Sequence, residues 1–150
     1  MMPKKIRVFI DTSVIFAAVL SPTGGARKIF HLGETRLLRL VVGPAVLREA
    51  DAVVQRKSPA SLPILAQLLD AARVEISPLP TQDQVETARK VVRYPPDSRV
   101  LGEAVCADPD WFVALDKKHF LNEKEGFNFS FRIGTPGDLL QTIKEHLSLP

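Results

Sequence analysis

Along this chain short apolar runs alternate with amphipathic stretches, and the breaks between them fall at acids, prolines and glycines. Ile6 to Ile10 is rich in β-branched and aromatic residues and stops at Asp11-Thr12-Ser13, which predicts a strand. Val14 to Leu20 predicts a helix that ends at Ser21-Pro22-Thr23-Gly24-Gly25. Ala26 to Leu32 resumes a helix closed by Gly33, and Leu37 to Val42 has strand length. Gly43-Pro44 opens a helix over Ala45 to Arg56, in which Val46, Ala50, Val53 and Val54 share one face and Glu49 lies at its border. Ser58 to Pro63 breaks the chain before a helical Ile64 to Ala72 and a short alternating strand, Arg73 to Ile76. Thr81 and Gln84 fit a capping box for a helix to about Val92, which Tyr94-Pro95-Pro96 halts before Asp97 starts the next, Val100 to Cys106. Trp111 to Leu115 predicts a buried strand ending at Asp116, Phe129 to Ile133 a last strand, and Pro136 a helix to about Leu147.

Strands alternating with helices in this way predict an α/β fold with a mostly parallel sheet between helices. The 150 residues suit a single domain, 1–150, because the proline-rich breaks are short and each separates regular elements. A 45% hydrophobic and 25% charged composition with mean hydropathy near zero excludes disordered and fibrous classes. No apolar stretch approaches the ~20 residues of a membrane span. Asp11 interrupts the first apolar run too early for a signal peptide, so the segment is expected in the mature chain. One cysteine, Cys106, in an apolar helix, permits no internal disulfide and builds no zinc cluster, which suits a reducing cytoplasm. The net charge of +3 is a weak pointer to nucleic acid.

The chemistry lies in the acids. In an open α/β sheet the functional crevice lies beyond the carboxyl ends of the strands, often where strand order reverses. Asp11 and Asp116 directly follow two strands, Asp97 precedes a helix whose entry belongs at the same edge, and Glu49 borders a helix packing nearby. Each has a plain structural alternative: Asp11 and Asp97 as helix caps, Glu49 as a solvated helix residue, Asp116 as a turn residue. Together they are poorly explained as four independent caps. Four converging carboxylates repel one another unless a hard cation compensates them, and Mg²⁺ or Mn²⁺ is the natural counterion. Such ions bind phosphodiester oxygen, activate water and stabilise the leaving oxygen.

The chain resembles PIN-domain proteins, and within them the toxin branch related to VapC-type toxins. The likeness rests on Asp11-Thr12-Ser13-Val14-Ile15, Glu49, Pro96-Asp97-Ser98-Arg99-Val100-Leu101 and Asp110-Trp111-Phe112-Val113-Ala114-Leu115-Asp116, in that order. Ser21-Pro22-Thr23-Gly24-Gly25-Ala26-Arg27 and Thr135-Pro136 extend it over nearly the whole chain. It implies a three-layer α/β/α fold and a metal-dependent endoribonuclease site. In that site Asp11, Glu49, Asp97 and Asp116 match the acidic quartet and Ser13 the hydroxyl or amide position that supports it. It further implies a toxin held by a small antitoxin protein, and a homodimer. Ala114 departs from the pattern, since related sequences often carry Thr or Ser two residues before the last acid.

Arg27, Lys28, Lys117, Lys118 and His119 flank the expected crevice and would meet RNA phosphates, or else form a solvated basic face. Trp111 and the alternating Phe127, Phe129 and Phe131 read as core packing rather than base-stacking platforms. Of two extra acids, Asp110 precedes its strand and belongs at the opposite end as a structural residue, and Asp108 is a weak site candidate. No Walker A or Gly-x-Gly-x-x-Gly spacing is present, and Ser13 stands where a dehalogenase-like phosphatase needs its second Asp. Two other functions fit the same residues: a housekeeping RNA-processing nuclease, and a catalytically weak RNA-binding or interaction module.

Overall fold

The computed structural model describes residues 5–92, 94–116 and 129–148. Its elements are β1 (Ile6–Ile10), α1 (Thr12–Leu20), α2 (Gly25–Glu34), β2 (Leu38–Val42), α3 (Pro44–Lys57), α4 (Leu62–Ala71), β3 (Glu75–Ile76), α5 (Gln82–Val91), α6 (Pro95–Ala107), β4 (Trp111–Val113), β5 (Arg132–Gly134) and α7 (Pro136–Ser148). The five strands form one parallel sheet in the order β3-β2-β1-β4-β5. The chain steps outward from β1 to β2 and β3, then returns across the sheet to β4 and β5. Strand order therefore reverses between β1 and β4, where Ile10 pairs with Val113. Right-handed crossovers then put α1 to α4 on one face and α5 with α6 on the other. The packing agrees: α1 meets α2, α3 and α4, α7 joins α2, and α5 lies on α6.

The local reasons are mostly those the sequence carries. Asp11 caps α1, Pro44 stands at the start of α3, and Thr81 with Gln84 forms the reciprocal capping box of α5. Thr135 and Asp138 exchange the same pair of bonds at α7, at 2.9 and 3.2 Å. Several boundaries differ from expectation for physical reasons. α6 starts two residues before Asp97, because Pro95 and Pro96 fill first-turn positions that need no N–H. Asp97 is thus a first-turn residue, and Tyr94 is the cap. α4 likewise takes Pro63 into its first turn, and Pro59–Ser61 coils as a 3-10 turn. Gly33 does not close α2. It lies inside the helix where a Cβ would come within 2.9 Å of Leu40 and 3.1 Å of Ala72, so it serves the packing of α2 on β2 and α4. Arg73, at φ 50, turns the chain before β3 and shortens that strand to Glu75–Ile76. β4 stops at Val113, so Asp116 follows three residues later, and the last strand is Arg132–Gly134.

Val8, Phe9, Ile10, Phe112 and Val113 are fully buried in the two central strands, so β1 and β4 fix the sheet's middle rigidly. Phe9 and Phe112 lie 5.4 Å apart, Phe112 and Phe131 6.2 Å, and Phe129 stacks on Phe131 at 4.9 Å. Phe131 is therefore a core residue and half-buried Phe129 packs against it, while Phe127 lies outside the described residues. Trp111 is also buried, with the Arg132 guanidinium 4.9 Å above its ring. Cys106 is half-buried rather than enclosed, and its thiol points to the Pro78 and Leu79 carbonyls at 3.5 and 3.7 Å. No helix among the described residues is long and apolar enough to cross a membrane.

Candidate functional site

The crevice at the carboxyl ends of β1 and β4 starts from Asp11. Its backbone N–H donates to the Val113 carbonyl at 3.0 Å, continuing the parallel ladder one residue past β1 and tying it to β4. One carboxylate oxygen then accepts from the Ser13 N–H at 3.3 Å and from the Ser13 hydroxyl at 2.7 Å. That hydroxyl in turn accepts the N–H of Leu115 at 3.1 Å. Ser13 thus bridges the Asp11 carboxylate and the backbone N–H of Leu115, the residue before Asp116. The residue between them in sequence, Thr12, is buried and donates its hydroxyl to Glu49 at 3.3 Å. The first turn of α1 therefore touches both Asp11 and Glu49.

Asp97 reaches the same edge by topology. α6 runs antiparallel to the strands, since its end at Ala107 leads through Asp108–Asp110 into the start of β4. Its first turn, with Asp97, lies at the strands' carboxyl edge. Hydrogen bonds thus tie Asp11 through Ser13 to the Leu115 backbone and Glu49 to Thr12, the residue after Asp11, while Asp97 is added by the direction of its helix. Among the described residues no three Asp, Glu, His or Cys side chains stand close enough to hold one ion together. The donor chemistry still suits Mg²⁺ or Mn²⁺, because such ions bind through one or two carboxylates and retain waters for substrate phosphate. Asp11 and Glu49 offer that: anionic oxygens whose partners among the described residues are hydroxyls and an amide, with no guanidinium or ammonium.

Other expected positions are used differently. Arg27 directs its guanidinium at the Ala18 and Val19 carbonyls, 2.7 and 3.3 Å away, and so closes the end of α1 instead of facing substrate. Lys28 is exposed. Lys117, Lys118 and His119 lie outside the described residues. Asp110 accepts the Arg7 N–H at 2.8 Å at the opposite sheet edge, as its place before the strand implies, and Asp108 ends α6 at φ 48. Ala114 is buried and makes only a backbone bond to Gly134 at 3.0 Å, so Ser13 is the hydroxyl that orders the Asp116 side of the crevice.

One acid escaped the sequence reading. Glu103, 2% exposed, accepts the Ala45 N–H at 2.7 Å and the Val46 N–H at 3.3 Å. Burial pushes its carboxyl above the ordinary value of 4.5, although those two N–H groups and the charges of Arg48 and Arg99 pull the other way. The signal was there: Val100, Glu103 and Ala107 share one helical face at spacings of three and four, so the acid sits in an apolar stripe.

A family model for the PIN domain matches residues 7–118. The chain belongs to the PIN domain family, whose members are generally nucleases that use divalent metals. Comparison with curated protein sequences finds no significant match. Among solved structures, the chain is similar to one in the crystal structure of VapBC2 from Rickettsia felis bound to a DNA fragment from their promoter. That match has TM-score 0.67 and 13% identity, covering 87% of this chain and 98% of the other. It is similar also to PAE2754 from Pyrobaculum aerophilum, with TM-score 0.60 and 17% identity over 93% and 90% of the two chains. A third similar chain, from DNA-bound VapBC of Salmonella typhimurium, gives TM-score 0.61 and 16% identity over 87% and 98%. At 13–17% identity these likenesses concern the fold.

Proposed function

We propose that the chain, as one domain over 1–150, is a Mg²⁺- or Mn²⁺-dependent endoribonuclease acting as the toxin of a toxin–antitoxin pair in the cytoplasm. The observation that carries this reading is the bridge Asp11–Ser13–Leu115 at the strand-order reversal of a PIN domain. It supports a role for Asp11 and Asp116 as a held pair, with Glu49 steadied by Thr12 and Asp97 supplied by α6. Those four carboxylates would hold the metal. A bound divalent ion would polarise the scissile phosphate and lower the pKa of an attacking water. The chain's own contribution is orientation: Ser13 fixes one Asp11 oxygen and leaves the other for a ligand, while the buried β1–β4 pair keeps both strand ends from drifting. Lys28 and Lys117 would add phosphate contacts that give affinity and salt dependence without sequence reading.

The VapBC assemblies among the similar structures favour a small antitoxin protein as partner, with a second copy of this chain as the homodimer mate. A housekeeping RNA-processing nuclease would use the same site without such a partner. A catalytically weak RNA-binding module is favoured by Ala114, which brings no hydroxyl. Cleavage of a mixed cellular RNA pool separates both nuclease readings from the binding module, and a neighbouring gene for a small DNA-binding antitoxin separates toxin from housekeeping nuclease. Native chain with Mn²⁺ or Mg²⁺ is expected to cut, EDTA to stop it, and Asp11→Asn and Asp97→Asn each to abolish it. Equal inactivity of all three proteins, with no metal binding, leaves the binding-module reading.

A further inference from the structure

The cap of α3 comes from another helix. Gly43, its N-cap, has no side chain to offer, and Pro44 has no N–H, so the first amides needing acceptors are those of Ala45 and Val46. Glu103 of α6 takes both, from 57 and 58 positions away. The approach is so close that a Cβ on Gly43 would stand 2.1 Å from a Glu103 oxygen. Gly43 has an ordinary φ of −89, so glycine is needed there for room and not for conformation. A buried carboxylate is an expensive way to finish a helix when Ser, Thr or Asp at position 43 would do it locally.

The two helices it joins are those that bring Glu49 and Asp97 to the crevice. Glu49 lies one turn beyond Ala45 on α3, and Asp97 lies six positions before Glu103 on α6, about 9 Å along the axis. We propose that Glu103 is a positioning residue for the acidic site, tying the start of α3 to α6 and so setting the separation of Glu49 and Asp97. This rests on the nuclease reading of those carboxylates. Glu103 touches neither metal nor RNA. It acts through the helix it holds.

The test is Mn²⁺ affinity, followed by electron paramagnetic resonance of the free ion, well below the melting temperature. Glu103→Gln keeps the shape and one acceptor but turns an N–H₂ toward a backbone N–H. It is expected to weaken Mn²⁺ binding on the order of 10-fold, comparable to loss of a partner that orients a ligand, because the start of the helix that carries Glu49 loses its anchor. In RNA cleavage, kcat should fall with KM little changed. A merely structural role would lower the melting temperature and leave the affinity of the folded molecules as it was, and that result overturns the proposal. A second measurement needs no variant. If the strut and the site are coupled, Mn²⁺ must slow hydrogen exchange at the Ala45 and Val46 amides of the native chain. Unchanged exchange on saturation with Mn²⁺ overturns the coupling. A native chain that binds no Mn²⁺ overturns the nuclease reading and this inference with it, whereas native binding with Glu103→Gln unaffected overturns this inference alone.

Discussion

The two edges of the sheet hold their glutamates differently, Glu75 by a guanidinium and Glu49 by a hydroxyl. At the amino edge, the Arg7 guanidinium pairs its Nη1 with Glu75 and donates its Nε to the Ala107 carbonyl, while the Arg7 backbone N–H donates to Asp110. At the carboxyl edge, Asp11 and Glu49 receive hydroxyls and one amide, and among the described residues no arginine or lysine pairs with either. Neutral donors orient an anion without cancelling it. Asp11 and Glu49 therefore keep charge that a cation can use, whereas Glu75 shares its charge with Arg7.

The largest expected effect breaks that contrast at its stronger side. Asp11→Asn preserves size and can still accept from Ser13, but removes the charge, so RNA cleavage should fall by roughly 100-fold or more while the melting curve barely moves. Asp110→Ala at the other edge should do the reverse, costing about 1–3 kcal/mol of stability through the lost Arg7 amide bond and leaving cleavage per folded molecule unchanged. Loss of activity in both variants to the same degree would mean the edges are not chemically distinct.

Much of this asymmetry was legible before the structure. Asp11 ends an apolar run and Asp110 begins one, and in a parallel sheet those positions must lie at opposite edges. Proline arithmetic misled where a proline can open a helix as well as end one, which is why Asp97 was placed at a cap instead of in a first turn. The links between acids were not legible, because they depend on pairs far apart in sequence: Ser13 with Leu115, and Glu103 with Ala45. Arg27 shows the same limit, since a basic residue after a glycine turn gives no sign that its guanidinium will fold back onto the end of the preceding helix.

Ser13→Ala sharpens the comparison with a smaller effect. It removes the hydroxyl that donates to Asp11 and accepts the Leu115 N–H, leaving only the backbone N–H of residue 13 on Asp11. Mn²⁺ affinity and cleavage should each drop about 10-fold, with a stability loss of about 1 kcal/mol. A Ser13→Thr variant, which retains the hydroxyl, should recover most of the loss. Failure of the threonine to rescue would point to space and not the hydrogen bonds as the requirement.

Glu103 gives a pH signature. Its folded-state pKa lies above 4.5, so the folded chain holds that proton more tightly than the unfolded chain does. The stability it contributes is complete below about pH 4.5 and is lost as pH rises through the folded-state value. The melting temperature of the native chain relative to Glu103→Gln should therefore fall as pH rises across that window, with Arg48 and Arg99 narrowing it. A constant gap from acid to neutral pH would show that burial does not outweigh the two amides.

The smallest effects separate two neighbours on α2 that the sequence treats alike. Arg27 is held by two carbonyls at the end of α1, while Lys28 is exposed. Arg27→Ala should lower stability by about 1–2 kcal/mol, because two carbonyls lose a charged donor, and leave the salt dependence of RNA binding unchanged. Lys28→Ala should leave the melting temperature alone and weaken RNA binding a few-fold across sequences, with the salt slope reduced by about 1 if the side chain neutralises a phosphate. An RNA titration at several salt concentrations with both variants decides it. If Arg27→Ala alone lowers the slope, its guanidinium leaves the end of α1 to meet RNA, and the contact is made by a residue that the free chain spends on its own backbone.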